Sequence, residues 1–171
     1  LYRPDLAMVS YERAVEHNPN FAAAIYELGT IALQLGEIDK AISSFERALE
    51  LNSEDPYAQY HLAQAYQRKG DFKKAEEHYS QAVVLSPKDA FAAYNLGMVR
   101  QELDDRRGAL EAFRKTVDLK PQDATYHLVL AKCCLHEQVR DEAQLHLREA
   151  IRLNPNDLET NFLLADLVMQ M

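Results

Sequence analysis

One spacing, 34 residues, recurs along this chain in several independent columns, and it limits the possible folds more than any other feature. Pro87, Pro121 and Pro155 are 34 apart, and Pro19 stands two periods before Pro87. Ser53 occupies the skipped slot, where Pro56 supplies the break. Ala7, Ala41, Ala75, Ala109 and Ala143 keep the same period. So do Tyr11, Phe45, Tyr79, Phe113 and Leu147, and so do Leu28, Leu62, Leu96, Leu130 and Leu164. Only five glycines and six prolines occur in 171 residues, while Ala, Leu, Glu, Gln and Lys are plentiful, a bias toward helix over strand. The expected fold class is all-α, built from like units that stack because no single unit can bury both faces of its helices.

The unit from Pro56 to Asp89 shows how one period folds. Asp55 suits a helix cap and Pro56 the first turn. Leu62, Ala63 and Tyr66 then recur at helical spacing, and Gly70 breaks the helix. Ala75, Tyr79 and Ala82 mark a second helix, which Pro87 ends by biasing Ser86 away from helical geometry. Small Ala63 and Ala75 let the two backbones approach.

A 34-residue helix-turn-helix with Leu-Gly or Leu-Ala, a tyrosine three residues later, then Gly-Asp-aromatic, Ala, aromatic, Ala and Pro resembles the tetratricopeptide repeat (TPR). Tyr94-Asn95-Leu96-Gly97 and Gly70-Asp71-Phe72 are near that family's consensus. The resemblance spans the whole chain and implies a right-handed superhelical solenoid of antiparallel helix pairs. Residues 1–21 would be the second helix of a truncated repeat, 22–55, 56–89, 90–123 and 124–157 full repeats, and 158–171 the first helix of another truncated repeat. Asp104 and Gln138 stand where the family places a turn glycine, and Arg100 and Cys134 where it places a tyrosine, departures that bear on the tightness of the last two full units. Incomplete units at both ends lead to the expectation of a slice of a longer array, or of end-to-end self-association through apolar edges.

The family's register lines a concave groove with the first helices. Tyr26, Tyr60, Tyr94, Leu128 and Phe162 form one column there, Ala23, Tyr57, Phe91, Thr125 and Glu159 a second, and Thr30, Gln64, Met98, Lys132 and Asp166 a third. The expected partner-binding residues are Tyr26, Tyr57, Tyr60, Gln64, Phe91, Tyr94, Met98, Gln101, Leu128 and Lys132, centred on the four rings of Tyr57, Tyr60, Phe91 and Tyr94. Rings supply large contact area at low entropic cost, and glutamine amides can satisfy the backbone of an extended peptide. A tyrosine in this column also packs between helices in the family, so a structural role stands beside the binding one. The carboxylate clamp with which chaperone-binding TPR proteins grip an acidic tail needs lysines, an arginine and asparagines. None of the three possible frames supplies it, the first reading Tyr26, Thr30, His61, Phe91 and Asn95. The asparagine ladder of a sugar-transferring relative is reduced to one rung in the column Glu27, His61, Asn95, Val129, Leu163.

A formal charge of -8 and a pI near 5.2 argue against nucleic acid as a partner. No apolar stretch reaches the ~20 residues of a membrane span, so no membrane contact is expected from this segment. His17, His61, His78, His127, His136 and His146 form no ligand or catalytic motif, and the spacing of nine and ten in the last three fits no standard metal site. No catalytic residue, metal or cofactor is expected. Adjacent Cys133 and Cys134 point about 100° apart on a helix, which makes a disulfide between them poor; read as reduced, they favour a compartment such as the cytoplasm. The expected function is a scaffold that holds a peptide or helix of a partner protein in the groove. Assembly through repeat ends or the convex face, and a recognition arm of a larger enzyme, are the alternatives.

Overall fold

Four aspartates at the 34-residue period, Asp55, Asp89, Asp123 and Asp157, open four of the helices in a computed structural model that describes residues 3–170. Leu1, Tyr2 and Met171, which the sequence reading placed in terminal helices, lie outside the described residues. Each aspartate accepts from the first free backbone N–H groups of its helix: Asp55 Oδ1 takes those of Tyr57 at 2.9 Å and Ala58 at 3.2 Å, and Asp89 Oδ1 those of Phe91 and Ala92 at the same distances. Such a cap is worth about 1 kcal/mol. Asp71 and Asp105 do the same for two more helices.

The described residues form ten helices and no strand. They fall into two compact units, Leu1–Pro87 and Lys88–Met171. The first holds α1 (Pro4–His17), α2 (Ala22–Leu35), α3 (Ile38–Leu51), α4 (Pro56–Lys69) and α5 (Phe72–Leu85). The second holds α6 (Ala90–Glu102), α7 (Arg106–Leu119), α8 (Ala124–His136), α9 (Arg140–Leu153) and α10 (Leu158–Met169). In the first unit α2 packs on α3 and α4 on α5, with α1 against α2 and α3 against α4. In the second, α6 packs on α7 and α8 on α9, with α7 against α8 and α10 against α9.

Four turns, again one period apart, reverse the chain inside the helix pairs. At each, a residue one or two positions past the helix is left-handed: Gly36 (φ 81°), Gly70 (84°), Asp104 (58°) and Gln138 (59°). The next N–H reaches back to a helical carbonyl at 2.9 Å in all four, from Glu37 to Ala32, Asp71 to Tyr66, Asp105 to Arg100 and Val139 to Cys134. The left-handed residue itself donates to the carbonyl three back, completing a Schellman motif that satisfies two orphan carbonyls.

The core of each pair is one large side chain set against a small one. Phe45, Tyr79, Phe113 and Leu147 are all buried, and the column Gly29, Ala63, Gly97, Ala131 is buried with them. A Cβ on Gly29 would lie 2.8 Å from the Phe45 ring, and one on Gly97 2.5 Å from the Phe113 ring, so these glycines are required by close approach. Where the column carries alanine, the large residue is Tyr79 or Leu147; the Tyr79 hydroxyl donates to Gln67 Oε1 at 2.9 Å. Cys133 and Cys134 are free and buried in the core of the second unit, and burial pushes the Cys134 thiol up to about 12 and that of Cys133 upward as well.

Candidate functional site

In the first unit the ring column is anchored from below. Tyr26 meets the buried Phe45 ring edge-on at 5.8 Å, and Tyr60 meets Tyr79 edge-on at 5.5 Å. Both tyrosines keep part of their surface in solvent. His61 ties the two together, stacked on Phe45 at 5.7 Å and edge-on to Tyr26 at 5.8 Å and Tyr60 at 5.2 Å. Gln64, one turn on, lies near enough to the same imidazole to favour its protonated form. The Nδ1 atom of His61 is buried with no hydrogen-bond partner, and burial holds this histidine below its ordinary pKa, so it is neutral near pH 7. Tyr57 is different in kind: it sits in the first turn of α4, its N–H fixed by Asp55, and 67% of its surface is exposed. Burial raises the Tyr26 phenol, and the carboxylates of Asp55 and Glu27 raise it further.

The second unit repeats part of this. Phe91 occupies the same first-turn position on α6, held by Asp89, and is 62% exposed. Tyr94 packs on Phe113 at 6.0 Å and on Tyr126 at 5.3 Å. Met98 and Leu128 are half-buried against the core of that unit. Lys132 is ion-paired, its Nζ 2.7 Å from Glu159 on α10. Gln101 stands apart from the rings, at the turn end of α6, where it lines a depression of about 230 Å³ with Asp104, Arg106, Cys133 and His136.

Three features were not in the expected set. His61, which the sequence offers as a clamp or ladder position and as one of six scattered histidines, is the hub of the first unit's rings. Glu27, on the same face, makes no hydrogen bond or ion pair among the described residues. The third is a pair of histidines: His127 Nδ1 lies 3.0 Å from His146 Nδ1, while His127 Nε2 donates to the Pro121 carbonyl at 3.1 Å. A carbonyl can only accept, so His127 carries its proton on Nε2, and His146 donates to the bare Nδ1. Two periods earlier, Gln59 Oε1 and His78 Nδ1 make the matching bond at 2.8 Å, so a 19-residue polar offset repeated at 68 residues was the sequence signal for it. Among the described residues no group of three or more His, Cys, Asp or Glu is placed to hold a metal, and no helix is long and apolar enough to cross a membrane.

Comparison with known proteins follows the same lines. Residues 3–50 and 26–90 match the family model described as tetratricopeptide repeat, and residues 59–168 match that of the middle TPR-like domain of cilia and flagella-associated protein 70. No curated protein matches the chain. Among solved structures, MamA superposes with a TM-score of 0.84 at 24% identity, over 89% of this chain and 89% of MamA. YrrB, described as a TPR protein with an unusual peptide-binding site, gives 0.84 at 21% identity, over 94% of this chain and 82% of YrrB. The APC/C hetero-tetramer Cut9-Hcn1 gives 0.72 at 26% identity, over 96% of this chain and 33% of the chain matched. What these likenesses share with the chain is the fold, an all-α repeat solenoid.

Proposed function

The chain belongs to the tetratricopeptide-repeat family, and from that premise we propose that it is a non-catalytic scaffold holding a peptide or helix of a partner protein along its first helices. The repeats are read as 22–55, 56–89, 90–123 and 124–157, so that α2 and α4 carry a receiving face in the first unit and α6 and α8 one in the second. The observation that carries the reading is the pair of exposed rings, Tyr57 and Phe91, each fixed in the first turn of its helix by an aspartate cap. A ring that is exposed on a fixed backbone offers contact area with only its own side-chain torsions left to order. Tyr60 and Tyr94, half-buried behind them, widen the apolar floor in each unit. YrrB, with its peptide-binding site, supports the class of ligand, and the match to a cilia- and flagella-associated domain supports seeking the partner among proteins of those organelles.

Capture of partners from a lysate, compared between the chain and its Tyr57→Ala/Phe91→Ala variant, tests the reading. Each lost anchor should weaken capture by tenfold or more, taking ~1.4 kcal/mol or greater per residue, with circular dichroism unchanged. Equal capture by both proteins would overturn it.

A further inference from the structure

We propose that the first unit's share of this face is a seat for a basic side chain, lysine or arginine, presented by an extended peptide. The proposal rests on the first-helix reading above and names the chemistry of what that face takes in the first unit. A cation is held well by exposed ring surface, by negative charge lacking a partner, and where no resident cation competes. The first unit meets all three conditions. Tyr26 and Tyr60 are half-exposed with their inner edges fixed on Phe45 and Tyr79, and Tyr57 stands exposed close enough to the Tyr26 phenol to act on it electrostatically. Glu27 is half-buried and has no hydrogen bond or ion pair among the described residues, and Asp55 spends its acceptors on backbone N–H groups alone. Both carboxylates act on Tyr26 and on His61, so their field converges on one place.

The positive groups of these helices are engaged elsewhere. α2 contains no Lys, Arg or His. In α4, Arg68 donates to the Leu33 carbonyl at 2.7 Å and Lys69 pairs with Asp39 at 2.7 Å, while His61 is neutral. The second unit shows what such a face does when its own chain supplies the cation: Lys132 lies in the column of Thr30 and Gln64 and is neutralised by Glu159, in the column of Tyr57. The first unit has the carboxylate without the lysine. Its complement is therefore external and positive, and an acidic or neutral segment leaves Glu27 unanswered.

Fluorescence anisotropy at about 0.15 M salt with labelled nine-residue peptides decides the matter. The probes are alternating Lys-Ser and Arg-Ser peptides, a norleucine-Ser isostere that keeps the methylenes, and a Glu-Ser peptide. The basic peptides should bind and the norleucine and glutamate ones bind at least about tenfold more weakly. Glu27→Gln and Tyr57→Leu should each weaken the basic peptides by about fivefold to tenfold, and Glu111→Gln, an exposed carboxylate of the second unit, should not. Equal weakening by Glu111→Gln would mean diffuse attraction to an acidic protein, and the seat would be lost. Norleucine binding as tight as lysine would overturn the cation while leaving the ring face as a peptide receiver. Absence of binding by every basic peptide would also overturn the seat, and the Tyr57→Ala/Phe91→Ala capture experiment judges the broader reading separately.

Discussion

The two units close their helix pairs with one backbone geometry and different residues. Gly36 and Gly70 turn the chain in the first, Asp104 and Gln138 in the second, and all four are left-handed with the same 2.9 Å bond behind them. An L side chain in that region costs roughly 1–2 kcal/mol, less for Asp, which tolerates it, than for Gln. The two packed helices on either side of the turn therefore dictate its shape, and glycine decides only how much strain the shape stores. A second contrast runs in parallel. The same polar bond between helices is made by Gln59 and His78 in the first unit and by His127 and His146 in the second, so only the second joins two groups that can both take up a proton.

The largest expected effect separates glycine as a turn former from glycine as a spacer. Gly97→Ala, which drives a methyl into the Phe113 ring, should cost about 1–3 kcal/mol in urea unfolding. Adding Phe113→Leu copies the Ala131/Leu147 pair and should return part of that; failure to do so would show that the columns are not interchangeable. Next come the turns. Gly70→Gln should lower stability by about 1–2 kcal/mol and Gln138→Gly raise it by up to about 1 kcal/mol, with Asp104→Gly gaining less. Equal and negligible changes at all three sites would erase the contrast between the units.

The smallest effect is in acid. Burial lowers the pKa of His61, His78 and His146 from 6.5, and the charge of His127 adds to the lowering at His146 while Glu142 and Asp118 oppose it. Below pH 6.5 the unfolded chain takes these protons more readily than the folded one. Stability is therefore full above about pH 6.5 and falls as the pH drops through 6.5 and then through the lowered folded values. Hydrogen exchange resolved by helix should show α8 and α9 losing protection more steeply than α4 and α5, because the charge of His127 opposes a proton on His146, whereas uncharged Gln59 accepts from His78 in either state. His127→Gln, which copies the first unit, should remove the difference between the pairs; a persistent difference would place its origin elsewhere.

What could be read from residues alone follows the reach of the cause. Asp55 with Pro56, Gly70 and the large-small columns act within one period, so their spacing displays them. The caps at Asp89, Asp123 and Asp157 follow from the same period. At Asp104 and Gln138 the period marked the turn but not its left-handed backbone, because local preference favours glycine there and only the helices around them impose the geometry. Lys132, expected among the partner-binding residues, meets Glu159 27 residues on, and His61 draws its ring partners from α2, α3 and α4; both outcomes depend on stacking between neighbours, which no single unit encodes. The exposed character of Tyr57 and Phe91 was legible as a column, but their fixation by the aspartate caps was not joined to it.

The buried thiols of Cys133 and Cys134 have a kinetic consequence. Burial raises both thiols, that of Cys134 to about 12, and shuts them from solvent, so they react with an alkylating reagent only while the helices around them are parted. The rate at which these two positions take up label thus counts openings of the second unit, a built-in clock whose ticking slows when a ligand holds that unit closed and quickens when Gly97 is filled.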